Sequence, residues 1–476
     1  MKLLRVETPL GLFSVLWAVG AALHDLEDEP LDGLPLYPFA VLLLLNPERI
    51  WAIGTFALAH AFLLVQNLPA AANHSVLSLL VDLGLLIGCV HALRSGPAAS
   101  QRQRLWAALR GPIQATVIAV YAFALFHKLN SSFFDPEVSC AVTQLAKLFR
   151  MHGVHGWPQD PATLGFNMYL TPLAEAAIPA LLLWPRFAHV GALIGLLFHT
   201  GVAWARFYDF ATVVFALYLF FLPWEGIEKN AARIPRWAGA CFLTCFAGLA
   251  ATSFYFYGVR GDPTILEGLR WSLEADTLIC VFWTLMILPV LFPLFSRSAA
   301  TLGDRRWTGA PLAWLIPAIA LLNGATSYLG LKTVANYSMF SNLRTEGGQT
   351  NHFLVPPGRF FIADYQNDLA RVTAVEEVPP DRWSWWARLT GIPASRWVSD
   401  VPGVRVPFFE VRRTLQAWRA SGGHSASIVY ERHGERHNVP DAFADAEMMR
   451  PMSFWERRFL AFRPVQEDGE ESECRW

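Results

Sequence analysis

Long apolar stretches recur through the first two thirds of the chain and cease near residue 333. Ten of them, at about 8–24, 50–67, 76–93, 113–129, 163–184, 187–204, 208–223, 237–257, 276–295 and 310–330, are long enough, or nearly so, to cross a bilayer as helices. Another, Leu34 to Leu45, is short and carries Pro35 and Pro38, so length alone reads it as re-entrant. Beyond 333 the pattern turns polar and turn-rich. Arg371–Glu376 and Ser427–Arg432 alternate like strands, His433-Gly434 predicts a hairpin turn, and Pro407 to Trp418 reads as the entry to an amphipathic helix.

Charge decides how often the chain crosses. Cytoplasmic loops carry the Lys/Arg excess. Lys2 and Arg5, then Arg94, Arg102, Arg104 and Arg110, then Lys229, Arg233 and Arg236, and finally Arg297, Arg305 and Arg306 fall on one face only if residues 34–45 also cross. The expectation is an all-α polytopic membrane bundle of eleven segments over residues 1–332, N-terminus inside. An extracytoplasmic α+β domain over 333–476 follows, ending in an acidic tail from Gln466. The first apolar stretch runs into Asp25-Leu-Glu-Asp-Glu29 instead of a small-residue cleavage site, so it reads as a retained helix. In the outward loop 131–162, Val138 to Met151 has apolar residues at helical spacing, with Lys147 and Arg150 opposite. It reads equally as a lid over an outer-leaflet pocket or as a helical connector.

Composition agrees. Of 476 residues, 54% are hydrophobic and 16% charged, well under the quarter usual for soluble domains, and Trp (19) and Phe (34) are abundant. A net charge of −1 gives no footprint for nucleic acid. The six cysteines are scattered without a CxxC pair, which predicts neither a disulfide framework nor a metal site. Trp383, Trp385, Trp386 and Trp397, interleaved with Arg382, Arg388 and Arg396, would either rest the outer domain on headgroups or pack a core.

Ionisable groups inside hydrocarbon are costly and call for a reason. The candidates are His60, Asp82, His127, Lys128, Glu175 and His199. The eleven-crossing topology puts most of them in the outer half of the bundle, with Glu175 near the midplane. Lys128, at the end of an apolar run, is either an anchor snorkelling to water or a base, and a lysine is a base only when desolvation or a neighbouring cation makes it neutral. The histidines read as packing residues or as site residues, and Asp82 and Glu175 need a partner or a proton. Arg206 and Asp209 read as a short charged turn.

Tyr121-Ala-Phe-Ala-Leu-Phe-His-Lys-Leu-Asn130, followed by Phe133-Phe134 and Ser139-Cys140-Ala141, resembles the signature of the HTTM membrane domain. Vitamin K-dependent gamma-glutamyl carboxylase and its bacterial homologues share that domain. Glu175 to Arg186, Leu197-Phe-His199 and Phe207 to Leu222 fit the same pattern, so the resemblance covers roughly residues 5–330. It implies that Lys128 deprotonates a vitamin K hydroquinone (menaquinol-like), with O2 and CO2 as co-substrates, and that His199 is catalytic beside it. His127, Asn130, Glu175, Asp82, His60, Arg344 and His352 would support the site or bind substrate, with no metal. It also implies a bacterial plasma-membrane protein whose partners are membrane lipids, a lipid-soluble quinone and a peptide or lipid substrate on the outer side. The carboxylase is longer, with a larger luminal domain. Here Tyr337 to His352 resembles a segment of bacterial HTTM proteins, and Arg344, Glu346 and His352 are expected to cluster near the membrane surface. The alternatives are a non-enzymatic protein that binds or transports a lipid or amphiphile, and an HTTM enzyme of other specificity.

Overall fold

The computed structural model describes residues 6, 8–28, 34–69, 71–94, 97–154, 160–260, 264–267, 272–297, 307–376, 404–420, 422–466 and 474. Lys2, Arg5, Arg305, Arg306, the Trp383–Trp397 stretch and most of the acidic tail lie outside them. The chain folds as two compact units. The first comprises Met1–Val65, Leu77–Ala122 and Ala141–Leu321, and the second Gln66–Val76, Phe123–Cys140 and Leu322–Trp476.

The helices are α1 Pro9–Asp28, α2 Tyr37–Leu45, α3 Ile50–Asn67, α4 Asn73–Leu93, α5 Ala98–His127, α6 Cys140–Met151, α7 Pro161–Leu164, α8 Asn167–Leu183 and α9 Ala188–Val202. Then come α10 Tyr208–Tyr218, α11 Trp224–Ala231, α12 Arg236–Ser253, α13 Ala275–Arg297 and α14 Leu315–Ala325. Among the described residues, seven helical stretches are long and apolar enough to cross a membrane: Ile50–Asn67, Asn73–Leu93, Ser100–His127, Pro161–Leu183, Pro185–Phe221, Trp237–Arg260 and Ala275–Arg297. Pro9–His24 and Pro311–Ala325 are shorter apolar helices, and the proline-bearing 34–45 stretch yields only the nine-residue α2. Helices suit these segments because a bilayer offers the backbone no water, and an α-helix satisfies its own polar groups. Pro112 inside α5 tests this rule: the ring cannot hydrogen-bond to the Ala108 carbonyl, and Ala310 N–H takes that carbonyl at 2.9 Å instead.

The Pro185–Phe221 run is not one straight helix. Between α9 and α10, Arg206 sits at φ +76°, a left-handed conformation uncommon outside glycine. The charged turn expected here is present and anchored. Arg206 Nε lies 3.5 Å from Asp276, whose carboxylate accepts from the Tyr257 hydroxyl at 2.5 Å, while Asp209 pairs with His24 at 2.9 Å. In the same unit β1 Thr264–Glu267 and β2 Ser272–Glu274 form an antiparallel ribbon.

The second unit is α+β. Its sheet holds β3 Leu369–Glu376, β4 Val404–Pro407, β5 Ser427–Arg432, β6 Glu435–Val439 and β7 Val465–Gln466, in the order β6-β5-β3-β4-β7 with every pair antiparallel. The β5–β6 hairpin turns through His433 and Gly434, both at positive φ, as a two-residue turn matched to strand twist requires. Helix α15, Phe408–Ala420, buries Phe408, Val411 and Leu415 against Val372, Ile428 and Tyr430 of the sheet. Helix α16, Phe454–Phe459, starts at a capping box between Ser453 and Glu456. Cys140 and Cys474 form a disulfide, against the expectation from cysteine spacing. Partners 334 residues apart leave no local pattern to read.

Candidate functional site

The last turn of α5 belongs to the second unit. Helical bonding ends with Lys128 N–H to Leu125 O at 3.0 Å and Leu129 N–H to Phe126 O at 3.1 Å. Lys128 is only 3% exposed, and its Nζ donates to Ala124 O at 3.3 Å. It is therefore not a snorkelling anchor, which would hold its ammonium in water. His127 is fully buried. Its Nε2 donates to Gly324 O at 3.2 Å, and its ring packs against Phe123 and Tyr328, both with centroids at 5.5 Å.

Asn130 is the lock of this region. Its Nδ2 donates to His127 O at 2.8 Å and Ser341 O at 2.6 Å, while Oδ1 accepts from Phe133 N–H at 2.9 Å and Asn351 Nδ2 at 3.2 Å. With the amide so committed, Asn130 shapes the loop and does not reach for substrate. It also forms an antiparallel bridge to His352, extended by Phe353 N–H to Leu129 O at 2.9 Å.

The tautomer of His352 follows from its neighbours. Nε2 meets the Phe126 carbonyl at 3.0 Å and must donate; Nδ1 accepts from Leu354 N–H at 3.0 Å and Val355 N–H at 3.2 Å. Burial pushes its pKa below the ordinary imidazole value, so the ring is neutral, and both nitrogens are engaged. His352 is a clamp, not a proton shuttle. Its ring lies 4.5 Å from Phe126 and 5.6 Å from Tyr328.

The expected cluster of Arg344, Glu346 and His352 is rearranged. Glu346 is buried against Arg463, with Nε to Oε1 at 2.8 Å, and accepts Thr345 N–H at 2.8 Å. Burial alone would raise this carboxyl; Arg463 and the backbone bonds outweigh it and hold the pKa below the ordinary range. Arg344 contributes backbone bonds to Asn351. Between these groups runs a buried segment in which Ala335, Tyr337, Phe340 and Asn342 all have φ between +53° and +67°. Each such residue costs about 1–3 kcal/mol unless its surroundings impose it. Here they do: Tyr337 N–H bonds Asn73 Oδ1 at 2.5 Å, and Asn342 spans Cys140 N–H and Val138 O. Lys332, in the same segment, is buried with Nζ donating to Ala335 O at 3.3 Å, and burial pushes its pKa down to about 8.

The remaining candidates lie in the first unit, in two sets. His199 on α9 meets the Tyr121 hydroxyl at 2.6 Å, Tyr121 hydrogen-bonds Tyr218, and Glu175 on α8 lies in the same region. His60 on α3 pairs with Asp82 on α4 at 2.7 Å, and Trp17 Nε1 donates to the other Asp82 oxygen at 2.9 Å. The structure thus joins Lys128, His127, Asn130 and His352 locally, pairs His60 with Asp82, and places His199 with two tyrosines. Tyr121, Tyr218, Tyr328, Lys332 and Arg463 were missed. Tyr121 stood in the motif itself, but a tyrosine in a span gives no sign that its hydroxyl is engaged.

No protein-family model matches the chain, and no curated protein or solved structure shows significant similarity to it.

Proposed function

We propose that this chain is a multi-pass membrane enzyme of the HTTM kind, similar to vitamin K-dependent gamma-carboxylase, in which Lys128 takes a proton from a lipid-soluble hydroquinone. The observation that carries the reading is the burial of Lys128 at the end of an apolar helix, beside His127 and within the turn that precedes the Asn130 lock. A side chain held at a fixed position out of bulk water can serve as a general base once a substrate hydroxyl comes within hydrogen-bond reach.

The surrounding residues suit such a ligand. Phe126, Tyr328 and the two imidazoles offer flat apolar walls, and the Tyr328 hydroxyl is buried without a hydrogen-bond partner among the described residues. An orphaned hydroxyl of this kind matches a phenolic oxygen. When bound, the hydroquinone supplies an oxidisable ring for O2, coupled to CO2 fixation or to another proton abstraction on a peptide or lipid. The chain's own residues do the rest: Lys128 Nζ accepts the proton, His127 and His352 pack against Tyr328, and Asn130 fixes the loop. In the first unit, His199, Tyr121 and Tyr218 form a second buried polar set, with Glu175 half-buried nearby, able to hold a proton.

The same reading has eleven crossings in a bacterial plasma membrane, the N-terminus inside and the second unit outside. Two observations support it. The three stretches that build the second unit, 66–76, 123–140 and 322–476, all fall on the outward face in that count. Its disulfide also suits an oxidising compartment. The rival reading is a non-enzymatic lipid or amphiphile binder, favoured by the engagement of both His352 nitrogens. Epoxide formation from vitamin K hydroquinone by membranes carrying the protein separates the two. The enzyme reading expects activity that Lys128→Ala removes, and full activity in that variant would sink it.

A further inference from the structure

The second unit exposes large apolar side chains in three patches: Phe353 and Leu354, Phe360 and Ile362, and Phe454, Trp455 and Phe459. Each of these residues is between 40% and 72% exposed. Single exposed hydrophobes are ordinary, but contiguous aromatic groups on one unit need an occupant.

Each patch is tied by hydrogen bonds to a residue at or just past the end of an apolar helix. Phe353 N–H donates to Leu129 O at 2.9 Å, immediately beyond α5. Ile362 N–H donates to Leu329 O at 3.0 Å, just beyond α14. Arg458, within α16, donates to Gln66 O and Leu68 O at 3.3 Å each, at the end of α3. These bonds hold each patch beside the residues where α3, α5 or α14 leaves its apolar stretch. The end of a membrane-spanning helix is where amphipathic aromatic rings are stable.

The charge pattern names the occupant. Exposed Arg359 lies over the Phe360 ring at 5.9 Å, and exposed Arg457 sits within α16 among Phe454, Trp455 and Phe459. Arginine beside apolar rings is the signature of a surface that lies in the headgroup–acyl boundary, with cations toward phosphate and rings toward acyl chains.

We infer that the second unit docks on the lipid leaflet through a rim made of these three patches, and that the rim binds anionic phospholipid. The inference rests on α3, α5 and α14 being membrane spans and is independent of any chemistry at Lys128.

The test uses the full chain in lipid nanodiscs. Leu354→Cys, Ile362→Cys and Trp455→Cys are each labelled with an environment-sensitive fluorophore, in a background with Cys241 and Cys245 replaced by serine. Glu435→Cys, on the exposed β6, is the control. Doxyl-labelled phosphatidylglycerol in the nanodisc is expected to cause a loss of emission at the three rim positions and none at 435, with iodide in the buffer giving the reverse. Rim labels as open to iodide as the control would overturn the proposal. So would energy transfer between labels on two copies without lipid quenching, which would make the rim a protein interface.

Discussion

Lys128 donates to the carbonyl of Ala124, one turn back on its own helix, at 3.3 Å. The contact holds Nζ back along the carbonyl end of α5, so Nζ reaches a ligand only by giving up the Ala124 carbonyl.

From this burial follows a test of Lys128 that separates folding from chemistry. Lys128→Met keeps most of the volume and removes a buried amine, so its thermal unfolding midpoint should match or exceed the parent's. Its quinol-epoxidising activity should fall by about 10²–10⁴-fold, the usual worth of a general base. A variant with normal unfolding and normal turnover would show that the proton goes elsewhere.

Lys332 should reveal itself through pH. Its pKa is depressed to about 8 from an ordinary 10.5, so the folded state resists its charge. The penalty is full below about 8 and disappears above 10.5, which means stability contributed by this group rises with pH across that window. The size is roughly 3 kcal/mol from the shift alone. Lys332→Met should raise stability at pH 7 and flatten the difference between pH 7 and pH 10.5. Denaturation of both proteins across that range checks it.

Glu346 carries the opposite sign. Its carboxyl is held below the ordinary value near 4.5, so its stabilisation is complete above that value and is lost as pH falls through the lower folded one. Glu346→Gln leaves Arg463 buried without its counter-charge, a loss expected to be about 3–5 kcal/mol. The acid branch of its unfolding curve should lose the step the parent shows below pH 4.5. An unchanged acid branch would show that the Arg463 pair carries no stability.

The Cys140–Cys474 bond predicts a cross-linked peptide in a non-reducing digest, absent after Cys474→Ser. The serine variant should lose about 2–4 kcal/mol of stability, the usual range for such a link. A free thiol at both positions in protein purified without reductant would contradict it.

Local pattern was legible and long-range pairing was not. The run of apolar segments, the strands at 371–376 and 427–432, the His433-Gly434 hairpin and the helix after Pro407 all come from periodicity and turn chemistry that act over a few residues. Glu346 with Arg463, Cys140 with Cys474 and His199 with Tyr121 join residues whose separation carries no signal. The short stretch with Pro35 and Pro38 forms the helix Tyr37–Leu45, nine residues long, where charge and not length argued for a crossing. Arg344 and Glu346 are near neighbours in sequence, yet their side chains take different partners, because backbone conformation decides direction and composition does not reveal it.

The second unit draws on three stretches separated by helices of the first. Its order of assembly in the cell follows. β7 closes the sheet beside β4, Ala461 O accepts the N–H groups of Thr333 and Val334, and Arg463 seals Glu346. Residues 461–466, which make these contacts, lie later in the chain than the stretches they close on. The segments at 66–76 and 123–140 therefore precede their closing partners by several hundred residues. A chain halted near residue 450 would lack the strand and the arginine that complete the unit, so this unit matures late relative to its own first segments.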